Sequence, residues 1–92
     1  MSNAGMRFGS IRASRRSTIY RMLAKKHAGK VPCFVCGRHV REKNATLEHI
    51  KPKSKGGSDE MVNLAISHYQ CNQRRGGDAE FPVSGITLRT NP

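Results

Sequence analysis

The sequence predicts a small α+β domain stapled by a metal, with a basic helix in front of two short strands and a short closing helix. Three observations carry this. The chain has 92 residues, of which 36% are apolar and none is Trp. That length allows one domain with a thin core. The three cysteines, Cys33, Cys36 and Cys71, are an odd set, and the two-residue gap between the first pair suits metal ligation better than a disulfide framework. Apolar residues stand at helical spacing before residue 30 and in short strand-like runs after residue 44.

Residues 1–10 read as a flexible lead-in, in which Ser2-Asn3-Ala4 resembles a cloning scar. A single domain is expected over 11–92. Residues 14–27 form the first helix: Ser14 or Ser17 serves as N-cap, and Ile19, Met22 and Leu23 make an apolar stripe at i, i+3 and i+4. Arg15, Arg16, Arg21, Lys25 and Lys26 cover the rest of it, and Gly29 stops it. Strands are expected at 45–50 and 62–67, joined by the loop 51–60. A short helix is expected from Cys71 to Gly76. Phe81, Val83, Ile86 and Leu88 could add a strand or pack without one.

Two hooks repeat one spacing: Cys33-x2-Cys36 and His68-x2-Cys71. Three thiolates and one imidazole complete a tetrahedral, closed set for a structural Zn²⁺, which would supply the stability a thin core lacks. His39 is a rival fourth ligand. It lies so close to Cys36 in sequence that it would strain the tetrahedron, so His68 is preferred.

The charge has a direction. Residues 1–55 hold 14 Lys and Arg against Glu42 and Glu48, while residues 56–92 hold 3 against 4 acids. A net charge of +11 calls for a polyanion, either nucleic acid or an anionic membrane surface. No apolar run approaches the roughly 18 residues that span a bilayer, and no secretory leader is visible. The expected location is therefore cytoplasmic.

Between the hooks stand Glu48-His49, three lysines around a proline, Gly56-Gly57 and Asn63. A carboxylate can hold a hard divalent cation, and a neutral imidazole can take a proton from water near pH 7. On a strand such neighbours point to opposite faces, but at a twisted strand end both can approach one site. The run Leu47-Glu48-His49-Ile50, followed by Gly56-Gly57, Asn63 and His68-Tyr69-Gln70-Cys71-Asn72, closely resembles the HNH (His-Asn-His) endonucleases over about residues 31–77.

That resemblance implies a ββα-metal (His-Me finger) core acting as a divalent-metal-dependent DNA endonuclease, which nicks or cuts DNA by hydrolysing phosphodiester bonds. His49 matches the general base. Glu48 matches the acidic metal ligand, usually Asp. Asn63 matches the central Asn that orients loop and base, and Asn72 the third position, often His, at the metal. Arg75 matches a basic residue at phosphate. With Glu48 and Asn72 offering oxygen, the implied catalytic cation is Mg²⁺ or Mn²⁺. Asn72 is expected to open the last helix, whose N–H groups favour a nearby phosphate. Lys51, Lys53, Lys55 and Arg74 join the basic residues of the first helix as DNA contacts. The small size resembles phage-type members, which work beside packaging or recombination machinery. The leading alternative is a non-catalytic zinc-ribbon DNA-binding module. A small RNA-binding protein is less favoured, because aromatic residues are only 5%.

Overall fold

The computed structural model describes residues 4–90. Helix α1 spans Ala4–Lys26, strand β1 Ala45–His49, strand β2 Leu64–His68 and helix α2 Tyr69–Arg75. The first helix begins well before Ser14. Residues 4–10, read from sequence as a lead-in, are helical, because they contain no proline and only isolated glycines. Residues 1–3 lie outside the described residues.

The buried stripe of α1 is not the expected one. Ile19 and Leu23 are fully buried, whereas Met22 is 44% exposed. At about 100° per residue, Met22 lies some 60° to one side of Ile19, while Leu23, Tyr20 and Arg16 lie about 40–100° to the other. Tyr20 packs against the core, and its hydroxyl donates to the Val40 carbonyl at 2.7 Å. Arg16 thus shares the inward side of the helix. The helix ends where expected: Gly29 has φ 87° and its N–H reaches back to the Ala24 carbonyl at 2.7 Å.

β1 and β2 pair antiparallel, with Glu48 opposite Ala65 and His49 opposite Leu64. Leu64, Ala65, Ile66 and Ser67 are all buried, so β2 is the central wall of the domain. It packs between α1, the Cys33–Cys36 segment and α2. α2 begins two residues before Cys71, so Asn72 stands inside it rather than at its start.

Among the described residues, the C-terminal stretch adds no strand. Ser84 and Gly85 donate backbone N–H groups to the carbonyls of Val35 and Phe34 at 2.8 and 3.1 Å. The Ser84 hydroxyl also reaches the Cys33 carbonyl at 2.9 Å. Lys26 holds the far end through the carbonyls of Leu88 and Thr90. Among the described residues, no helix is long and apolar enough to cross a membrane.

Candidate active site and metal centre

The first hook is a tight hairpin. Val31 and Val40 pair through the Val40 N–H at 2.8 Å, and the Gly37 N–H closes on the Cys33 carbonyl at 2.8 Å. Gly37 takes φ 80°, a conformation that side chains disfavour. Three backbone N–H groups, from Val35, Cys36 and His68, point at the Cys33 sulfur at 3.3–3.4 Å. These donors fix the position of the Cys33 sulfur.

The end of β2 and the first turn of α2 deliver the second hook. The ligand atoms of Cys33, Cys36, His68 and Cys71 all lie within 4.8 Å of one another. His68 Nδ1 is 3.5 Å from Cys36 Sγ and 3.8 Å from Cys71 Sγ. A tetrahedron with Zn–S near 2.3 Å and Zn–N near 2.0 Å has edges of roughly 3.5–3.8 Å, which the two distances from His68 Nδ1 match, so the set could hold Zn²⁺. His68 Nε2 donates to the His39 carbonyl at 3.0 Å, which turns Nδ1 toward the sulfurs. His39 therefore serves the site through its backbone and is not a ligand. Burial, and then the neighbouring Cys33, push the Cys71 thiol up to about 11. A divalent cation among the four atoms offsets that cost. Arg74 lies against this site, 3.6 Å from Cys71 Sγ.

On the other side of α2 lies an open cleft of about 650 Å³, lined by residues that include Arg16, Glu48, His49, Lys53 and Asn72. Glu48 and His49 both reach it because β1 ends there. Their environments differ. Glu48 is 2% exposed: Arg75 donates to its Oε2 at 2.7 Å and the Ser67 hydroxyl to its Oε1 at 2.7 Å. His49 sits at the rim, its Nε2 2.8 Å from Asp59 Oδ1.

Asn72 is oriented by its neighbours. Its Nδ2 donates to Thr46 Oγ1 and to the Leu47 carbonyl, both at 3.0 Å. A carbonyl can only accept, so the amide nitrogen must face it and the amide oxygen is left for the cleft. Asn63 staples the loop between the strands. It accepts the Lys51 N–H at 2.8 Å and donates to the carbonyls of Lys51 and Ser58 at 3.1 and 2.7 Å. Gly57 is required there, since a Cβ would collide with the Lys51 carbonyl. Asn63 thus shapes the loop that carries Lys51, Lys53, Lys55 and Asp59.

Arg75 does not fit the expected role at phosphate. It is 4% exposed, with Nη1 donating to Glu48 and to the His49 carbonyl at 3.0 Å and Nη2 to the Ile50 carbonyl at 2.7 Å. It also lies over the Phe34 ring, 5.3 Å from the centroid. It props up the end of β1. Lys26 is engaged with the C-terminal stretch, and Arg15 donates to the Asp59 carbonyl. Arg21 and Lys25 are exposed but do not line the cleft. Arg16 does, and its Nε has no hydrogen-bond partner among the described residues.

Sequence reasoning missed Ser67, Thr46 and Asp59. A serine closing an apolar strand signals Ser67. Asp59 stands in a polar loop, and sequence says nothing of its reaching His49. His49 and then Lys53 hold the Asp59 carboxyl down at about 2.

Two strands, a loop and a helix around an oxygen- and nitrogen-lined cleft, with a Cys/His set behind the helix, define a ββα-metal protein. The HNH endonuclease family model matches residues 33–78, half of the chain, and the chain belongs to that family. No curated protein and no solved structure matches it.

Proposed function

We propose that the protein is a metal-dependent endonuclease that hydrolyses phosphodiester bonds in DNA. One observation carries this reading: His49 and the unspent oxygen of Asn72 face the same open cleft, beside the buried Glu48 carboxylate. A non-catalytic ribbon would have no need of that convergence.

The cleft offers one carboxylate and one amide oxygen, a donor set that suits Mg²⁺ or Mn²⁺ with water and phosphate oxygens completing the shell. Each Glu48 oxygen accepts one hydrogen bond and keeps a lone pair free. When bound there, such a cation supplies charge stabilisation for the phosphoryl group and the departing oxygen. The chain's own residues do the rest. His49 removes a proton from the attacking water. Arg16 and Lys53 hold phosphate at the rim. Asn63 keeps the loop in the shape that brings Lys53 to the cleft. Arg75 and Ser67 hold the Glu48 carboxyl in place through one hydrogen bond to each oxygen. The zinc set lies one residue from Asn72 and anchors the helix that carries it.

The test is supercoiled plasmid with Mg²⁺ or Mn²⁺, comparing wild type with His49→Ala. Conversion to nicked circles by wild type and its loss in the variant is the expected result. Equal cleavage by both overturns the assignment of His49. Tight binding without cleavage under any divalent cation would favour the zinc-ribbon reading.

A further inference from the structure

We propose that Asp59 is a positioning residue for His49: its carboxylate accepts the imidazole Nε2–H and so presents Nδ1 to the cleft as the proton acceptor. This rests on the reading of His49 as the base, but it adds a residue that the HNH pattern does not supply.

A neutral imidazole carries one N–H and one free lone pair. Which nitrogen is which depends on its partners. Here Nε2 is 2.8 Å from Asp59 Oδ1, and a carboxylate can only accept. The proton therefore sits on Nε2. Nδ1 has no hydrogen-bond partner among the described residues, and the ring lines the cleft. A base that must take a proton from water needs that arrangement rather than its mirror.

The Asp59 carboxylate is held for the task from several sides. Lys53 Nζ donates to its other oxygen at 3.0 Å. The Arg15 guanidinium donates to the Asp59 backbone carbonyl. Asn63 pins the preceding carbonyl of Ser58 at 2.7 Å. An acid on the rim of a cleft meant for phosphate weakens DNA binding by repulsion. Its presence needs a compensating task, and the imidazole bond is one. Arg15 further ties that task to α1, the basic helix.

Two measurements test the proposal, on the zinc-loaded protein. The first is the His49 tautomer, read from long-range nitrogen–proton NMR correlations, with the His49 signals assigned by their loss in His49→Gln. A wild-type ring protonated at Nε2, with mixed tautomers in Asp59→Ala, is expected. A wild-type ring protonated at Nδ1, or one unchanged by the substitution, overturns it.

The second measurement is nicking kinetics. Asp59→Ala should lower kcat about ten- to hundredfold through misplacement of the base. Its KM should stay level or fall, because repulsion of DNA is removed. Asp59→Glu should recover most of kcat. A merely structural role would raise KM, or would leave Glu no better than Ala, and either result overturns the proposal. If wild type nicks no DNA, the endonuclease reading fails while the tautomer still decides for or against Asp59. If Asp59→Ala does not fold, the wild-type tautomer and Asp59→Glu remain decisive.

Discussion

The zinc set and the cleft stand back to back across α2, delivered by adjacent residues, Cys71 and Asn72. Their chemistry is opposite. The Cys/His set is three soft sulfurs and a nitrogen, all within 4.8 Å of one another, with Cys33 and Cys71 buried. A tetrahedral cation held there would have every coordination position taken by protein. The cleft offers hard oxygens and one imidazole, and its Asn72 oxygen and His49 Nδ1 have no partner among the described residues. A closed set stabilises a fold, and an open one leaves room for a reacting group. The short helix couples them, since whatever loosens Cys71 also moves Asn72.

Removing the zinc should have the largest effect. Structural zinc contributes about 10–16 kcal/mol of apparent binding free energy in zinc-finger peptides at neutral pH, more than a thin core of this size can spare. Chelation, or Cys71→Ser, should abolish the cooperative melt seen by circular dichroism. An unchanged melt would show that the two regions are not coupled through the metal.

His49→Ala probes the other side. Loss of a general base costs about 10²–10⁴ in rate, while the melting temperature should stay within about 5 °C of wild type. A large drop in both would mean that His49 belongs to the scaffold, and the contrast between the two regions would then fail.

Arg75 lies between these extremes. Arg75→Met leaves Glu48 buried and unpaired, which should cost about 3–5 kcal/mol by denaturant titration. Adding Glu48→Gln should recover part of that loss, because the uncompensated charge is gone. Glu48→Gln alone should reduce nicking while preserving or raising DNA affinity, measured by fluorescence anisotropy. Lower affinity would mean that the carboxylate serves DNA binding rather than a cation.

Much of this is legible in the sequence. The two hooks can be paired from spacing alone, because each has the same two-residue gap and a metal needs four ligands. Glu48, His49, Asn63 and Asn72 stand out through resemblance, and they lie near one another or on the loop between. The misreadings have physical causes. The resemblance puts Arg75 at phosphate because sequence cannot show that Glu48, 27 residues earlier, turns inward to meet it. Met22 fits the buried stripe on spacing because i+3 and i+4 both suit a helix face, and only the packing partner decides which side of Ile19 is covered. Asp59 acts on a residue ten positions away through a loop whose shape Asn63 and Gly57 set.

That rotation of α1 leads to the smallest effect. Arg21 and Lys25 lie about 140° and 180° around the helix from Arg16, counting 100° per residue. Arg16 lines the cleft, so Arg21 and Lys25 point away from it. Lys51 and Lys55 are exposed on the loop that also carries the cleft-lining Lys53. Removing one cation that neutralises a phosphate lowers the slope of log affinity against log salt by about 0.9 on duplex DNA. The double variant Lys51→Gln/Lys55→Gln should therefore lower that slope by about 2. Arg21→Gln/Lys25→Gln should lower it by less than about 1. Binding titrations across salt concentrations separate the two cases. Equal slopes would mean that DNA wraps past the cleft onto the far side of α1, and the basic helix would then be a second contact surface rather than one wall of the first.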